Sequence, residues 1–101
     1  MMDLNHIIVI DDEPRWTQFC QKCGLEVAKD IDGIDPDRHR VVVISSLMMD
    51  YVPELATAYN IIVATGQSTT RERIKAFRLR AVDYFTKDFR KEVLLEKLKG
   101  Y

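Results

Sequence analysis

Three continuous apolar runs punctuate the chain: Ile7–Ile10, Val41–Ile44 and Ile61–Ala64. Runs of this length, unbroken by polar positions, are the pattern of strands buried on both faces. Asp83-Tyr84-Phe85-Thr86 predicts a further short strand, and the alternating Leu25-Glu26-Val27-Ala28 predicts an edge strand. Between them the period lengthens. Trp16, Phe19, Cys20 and Cys23 recur at helical spacing behind Pro14. A proline in a first turn loses no hydrogen bond, and Gly24 suits the helix end. Pro53–Tyr59 predicts a short helix started by its proline. Thr69-Thr70-Arg71-Glu72 has the form of a capping box for a helix that turns Ile74, Phe77 and Ala81 inward. Asp88 is placed to cap a last helix reaching Leu98, with Val93, Leu94 and Leu98 inward. Strands alternating with helical segments predict a parallel sheet covered on both faces.

In such a sheet the working crevice lies beyond the carboxyl ends of the strands. The residues falling there are Asp11 and Asp12, Ser45 and Ser46, Thr65 and Gly66, and Thr86 and Lys87. Adjacent carboxylates suit a magnesium ion, which fills its remaining positions with water and phosphate oxygen. The lysine and threonine suit phosphoryl oxygens.

Length and composition narrow the field. A chain of 101 residues, 47% hydrophobic and 31% charged, is expected to be one domain with no output domain attached. It carries no apolar run of membrane length and no secretory signal, so a cytoplasmic location is expected. The net charge of −1 hides an asymmetry. Residues 1–50 hold five Lys/Arg against ten Asp/Glu, a charge of −5, and residues 51–101 hold ten against six, +4. Such a split steers a partner or favours head-to-tail association.

Two other candidate chemistries are weaker. Cys20-Gln21-Lys22-Cys23 lies late in its helix, away from the N-terminal turn that activates redox thiols, and has no second ligand pair for zinc. The acidic stretch Asp30–Asp37 lacks the closing glutamate of an EF-hand, and a solvated loop is expected there.

Three blocks, in order along almost the whole chain, resemble the receiver domain of two-component response regulators. "IIVIDDEP" is similar to that family's first strand with its acidic magnesium pair, Asp11 and Asp12. "IIVATG" resembles the fourth strand ending in the switch hydroxyl, Thr65. "RAVDYFTKDF" resembles the block that carries the switch aromatic, Tyr84, and the lysine, Lys87. The resemblance implies a flavodoxin-like α/β fold, a doubly wound five-stranded parallel sheet of order 2-1-3-4-5. The second and third helices are expected to be shortened or missing, because Asp30–Asp37 and the brief interval from Ser45 to Thr65 leave little room for them. A sheet so thinly covered is expected to hide apolar surface by association.

The family's third strand ends in the aspartate that accepts a phosphoryl group. The matching position here is Ser45, with Ser46 a one-residue alternative. An acyl phosphate cannot form on serine, and a hydroxyl adds no charge to hold magnesium, so at most a weak magnesium site is expected at Asp11 and Asp12. Asp88 stands where the family has proline, and Arg80 replaces a glycine. The resemblance then implies a phosphorylation-independent receiver, a protein-interaction module and no enzyme. Its partner face would be the family's fourth helix, fifth strand and fifth helix, here carrying Arg71, Arg73, Lys75, Arg78, Tyr84, Arg90 and Lys91. An acidic signalling protein or a second copy of the chain fits such a face, with Glu72, Glu92 or Asp83 offsetting the charge in a homodimer. Nucleic acid fits less well, since no aromatics interleave with the exposed arginines. The alternative is a working phosphorelay receiver whose acceptor is displaced to Asp50.

Overall fold

Ile7–Ile10 (β1), Glu26–Ala28 (β2), Val41–Ser45 (β3), Asn60–Thr65 (β4) and Asp83–Thr86 (β5) form one all-parallel sheet of order β2-β1-β3-β4-β5. The computed structural model describes residues 3–101. This is the flavodoxin-like order expected. The order reverses between β1 and β3, the switch point at which α/β sheets place their crevice. Register fixes what gathers there. Ile10 pairs with Ile44, Ser45 with Ala64, and Thr65 with Thr86, so Asp11, Ser46 and Lys87 leave their strands at neighbouring positions.

Alternate strand residues point to opposite faces and build two apolar layers. Ile7, Val9, Val41, Val43 and Ile62 meet Trp16 and Cys20 of α1 (Pro14–Lys22), Cys23 just after it, and Leu94 and Leu98 of α4 (Lys91–Leu98). Gly24 ends α1 at a φ of +90°, as its position predicted. Ile8, Ile10, Val42, Ile44, Ile61 and Val63 form the other layer, each at most 1% exposed. Full burial of such side chains is worth about 1.5–3 kcal/mol each.

That second layer overturns the expectation of a poorly covered sheet. The helix between β2 and β3 is indeed missing. A 3-10 turn (Ile31–Gly33) takes its place and lays Ile31 and Ile34 against the sheet. Gly33 approaches β2 so closely that a Cβ would overlap that of Ala28. Asp30 accepts from the Asp32 N–H and Asp35 from that of Asp37, so these acids shape the loop's turns. After β3, a 3-10 segment (Ser46–Tyr51) and the four-residue α2 (Val52–Leu55) bring Met49 and Val52 onto the same face. The helix expected over Pro53–Tyr59 is thus shorter and earlier. Irregular turns cover what helices would otherwise cover.

The helix α3 (Thr70–Arg78) also differs from expectation. Its buried residue is Ala76, while Ile74 and Phe77 are 47% and 41% exposed and Ala81 lies beyond the helix. The small Ala76 lets the helix approach β5, and the larger apolar residues are left facing out. Likewise Asp88 does not cap α4. It binds the Arg90 N–H and guanidinium one step before the helix begins. No helix among the described residues is long and apolar enough to cross a membrane.

Candidate functional site

The carboxyl edge forms a cleft of about 390 Å³ lined by Asp11, Asp12, Glu13, Ser46, Thr65 and Lys87 among others. Lys87 is its centre. Its ammonium lies 2.6 Å from Glu13 Oε2 and 2.9 Å from Asp11 Oδ2. The first is an aligned hydrogen bond. The second is a close charge contact, and Asp11 Oδ2, buried, receives no aligned donor. Burial alone would lower the Lys87 amine, but the contacts with Glu13 and Asp11 outweigh it and hold the ammonium above its ordinary range. The backbone assists: the Lys87 N–H donates to the Thr65 carbonyl at 2.7 Å, fixing the root of the side chain beside β4.

The two serines divide their work. Ser45 is buried, and its Oγ accepts from the Leu47 N–H at 3.2 Å, capping the 3-10 segment. Ser46 turns its hydroxyl into the cleft and donates to Thr65 Oγ1 at 3.2 Å. Thr65 in turn donates to the Gln67 carbonyl and closes a small turn. Asp12 is exposed at the rim. Asp50 is outside the cleft, its carboxylate 97% exposed and 4.0 Å from the Lys75 ammonium.

Tyr84 is buried, with its hydroxyl donating to Glu72 Oε1 at 2.7 Å and accepting from the Thr69 N–H at 3.4 Å. Thr69 caps α3 by accepting from the Glu72 N–H, as the capping-box spacing predicted. The reciprocal bond of the box is replaced by the tyrosine hydroxyl, which stands between the glutamate and the cap residue. Glu13 and Glu72 are the participants that motif reasoning passed over. Glu13 directly follows the acidic pair, and Glu72 was visible as a cap residue and a surface charge, not as a partner of Tyr84.

Of the basic residues, Arg73 and Arg90 line a groove with Tyr84, Phe85 and Lys97, while Arg71, Lys75 and Arg78 surround Ile74 on the other flank of α3. Lys91 stands apart, beside Cys23 and Leu95. Both thiols are buried. Burial, with the neighbouring Cys23, pushes the Cys20 thiol up to about 12, and burial also raises Cys23 despite Lys91. These are poor nucleophiles.

No family model and no curated relative matches the chain. Solved structures do. The BeF3-activated receiver domain of Klebsiella pneumoniae RstA superposes with a TM-score of 0.75, at 19% identity over 92% of this chain and 94% of that one. HP1043, an orphan response regulator of H. pylori, gives 0.74 at 17% identity, covering 92% of both chains. A response regulator from Thermotoga maritima gives 0.73 at 19% identity, again covering 92% of each.

The chain has the receiver fold.

Within that fold, the cleft poorly suits the magnesium ion that the resemblance implies. No three Asp, Glu, His or Cys side chains among the described residues are grouped to hold a metal. The Asp11 carboxylate already faces an ammonium, and the nearby Ser46 hydroxyl, which donates to Thr65, is a neutral oxygen. The donor set therefore does not fit a tightly held divalent cation.

Proposed function

We propose that the chain is a phosphorylation-independent receiver, acting as a signalling protein-interaction module rather than an enzyme. The observation that carries this reading is the Ser46 hydroxyl, placed in the cleft 3.2 Å from Thr65 where receiver chemistry calls for a carboxylate. Ser46, rather than Ser45, is the residue we assign to the acceptor position, because the Ser45 hydroxyl is spent on the Leu47 N–H.

Support comes from the surroundings. Phosphorylation ordinarily shifts a two-state equilibrium, and a ligand moves such an equilibrium only through differential affinity for the two states. Here Thr65 is held by Ser46 and Gln67, Tyr84 by Glu72 and Thr69, and Lys87 by Asp11 and Glu13. Each switch-like group already has protein partners. The input is then a protein bound at the surface of α3, β5 and α4, in the cytoplasm. The outward-facing Asp50 gives no support to a displaced acceptor.

Intact mass after incubation with magnesium and a small acyl-phosphate donor tests the reading. No added phosphoryl group is expected. A labile phosphoryl adduct would overturn it and make the chain a kinase-driven switch.

A further inference from the structure

The end of the sheet opposite the cleft holds a buried titratable group that the receiver reading does not use. His39, late in the connection from β2 to β3, is fully buried, and both of its ring nitrogens are engaged. The Asp35 N–H donates to Nδ1 at 2.8 Å, and Nε2 lies 2.9 Å from Glu26 Oε2 on β2. A backbone N–H only donates, so Nδ1 is a bare acceptor and the proton of the neutral ring sits on Nε2. The main chain closes the same turn. The Asp35 carbonyl accepts from the Arg38 and His39 N–H groups, and its carboxylate accepts from the Asp37 N–H. Directly before this turn, Ile31 and Ile34 lie against the second apolar layer, in the segment that stands in for the missing helix.

We propose that this turn is a proton-operated latch, closed while the His39 ring is neutral and opened when the ring takes up a second proton. An imidazolium carries N–H on both nitrogens, so Nδ1–H and the Asp35 N–H become two donors facing each other. One of them has to move. The Glu26 carboxylate suits an Nε2–H in either state and keeps hold of the ring. The movable partner is the Asp35 peptide, which opens a turn whose residues 36–38 are exposed. The surrounding charges offset one another. Glu26 on β2 and Asp35 in the turn favour a cationic ring, whereas Arg38 in the turn and Arg40 at the start of β3 oppose it. With the charges balanced, the lost Asp35 hydrogen bond decides, and the open turn accepts the proton more readily than the closed one. A ligand shifts an equilibrium through differential affinity, and here the proton is that ligand. Opening loosens Ile34 and Ile31 from the sheet and uncovers part of the second apolar layer. The latch lies away from the cleft, does not depend on the receiver reading, and gives the fold an input that needs no phosphoryl group.

The test is an NMR titration of the isotope-labelled whole chain from about pH 7.5 to about pH 5, the range in which imidazole groups ordinarily change charge. The two histidines, His6 and His39, are followed separately through their ring nitrogens. At the upper end His39 Nδ1 is expected to show the shift of an unprotonated acceptor. As that ring takes up its proton, solvent exchange of the Ile34 and Asp35 amides, corrected for its intrinsic pH dependence, should rise about tenfold or more while the β3 amides stay protected. Glu26 keeps its charge throughout, because Arg38 and then His39 hold its carboxyl at about 2. His39→Gln, whose side chain does not titrate, should remove the step, and a step that persists in it overturns the proposal. Should that variant not fold, the wild-type titration still decides. Four wild-type outcomes overturn the latch. They are a His39 ring that stays neutral over the whole range, a ring that protonates with both amides still protected, amides freed in step with His6 instead, and amides freed only together with those of β3.

Discussion

The Tyr84 hydroxyl donates to Glu72 Oε1 at 2.7 Å while accepting the Thr69 N–H, so a buried strand tyrosine completes the N-terminal cap of α3. The helix start and β5 are thereby one hydrogen-bonded unit. Tyr84→Phe should cost about 1–2 kcal/mol, because it leaves a carboxylate and a backbone donor short of a partner. In a double-mutant cycle with Glu72→Ala, urea denaturation should give a coupling of about 0.5–1.5 kcal/mol. Additive losses would mean that the hydrogen bond contributes nothing to stability.

Lys87 is the cation on which the cleft depends. Lys87→Met leaves Asp11, 1% exposed, without its compensating charge. Removing one partner of a buried pair costs about 3–5 kcal/mol. The sign with pH follows. In the wild type the raised Lys87 amine contributes stability that is complete below its unfolded pKa and lost as pH rises through the folded one. Thermal melts of both proteins across pH measure these trends. A deficit that stays constant with pH would mean that the substitution hurts by packing rather than by charge.

The parts of this molecule legible in its sequence are those where one physical signal dominates. Ile7–Ile10, Val41–Ile44 and Ile61–Ala64 announce buried strands because nothing polar interrupts them, and the parallel topology then sends Asp11, Thr65 and Lys87 to one edge. The distinction between Ser45 and Ser46 was not legible, because it depends on where β3 gives way to a 3-10 turn and side-chain alternation stops. The face of α3 misled for a different reason. Ile74 and Phe77 are the more apolar residues, but the narrow approach to β5 admits only Ala76, a constraint visible only once the helix is seated. Cover for the second sheet face came from turns, which have no helical period to detect.

The turn that replaces the missing helix depends on Gly33. Gly33→Ala places a methyl group against Ala28 on β2, and both sides are backbone-rooted atoms that cannot swing away. Overpacking of this kind costs about 1–3 kcal/mol. Ala28→Gly in the same chain should recover most of the loss beyond its own intrinsic cost. Chemical denaturation of the two single variants and the double variant decides it. If Ala28→Gly rescues nothing, the turn has shifted elsewhere and the close approach is not what limits residue 33.

On the opposite end of the sheet, Glu26 accepts from Arg38 through both oxygens, at 2.5 and 2.8 Å, and meets His39 Nε2 at 2.9 Å. The other ring nitrogen, Nδ1, accepts the Asp35 N–H, which assigns the proton to Nε2 and makes the fully buried His39 a donor to Glu26. Hydrogen bonds from Arg38 and then His39 pull the Glu26 carboxyl from 4.5 down to about 2. A depressed folded pKa stabilises above the unfolded value and is lost as pH falls through the folded one, so the window for this loss runs from about 4.5 to about 2. The Glu26 side chain is 40% exposed, so solvent screens part of the effect. Glu26→Gln should therefore lower stability at neutral pH modestly and flatten the acid limb of the stability curve in that window. Denaturation midpoints taken at steps from neutral pH to about pH 2 provide the check. An acid limb in Glu26→Gln as steep as that of the wild type would assign the acid sensitivity to other carboxylates and leave the Glu26–Arg38–His39 cluster a packing feature.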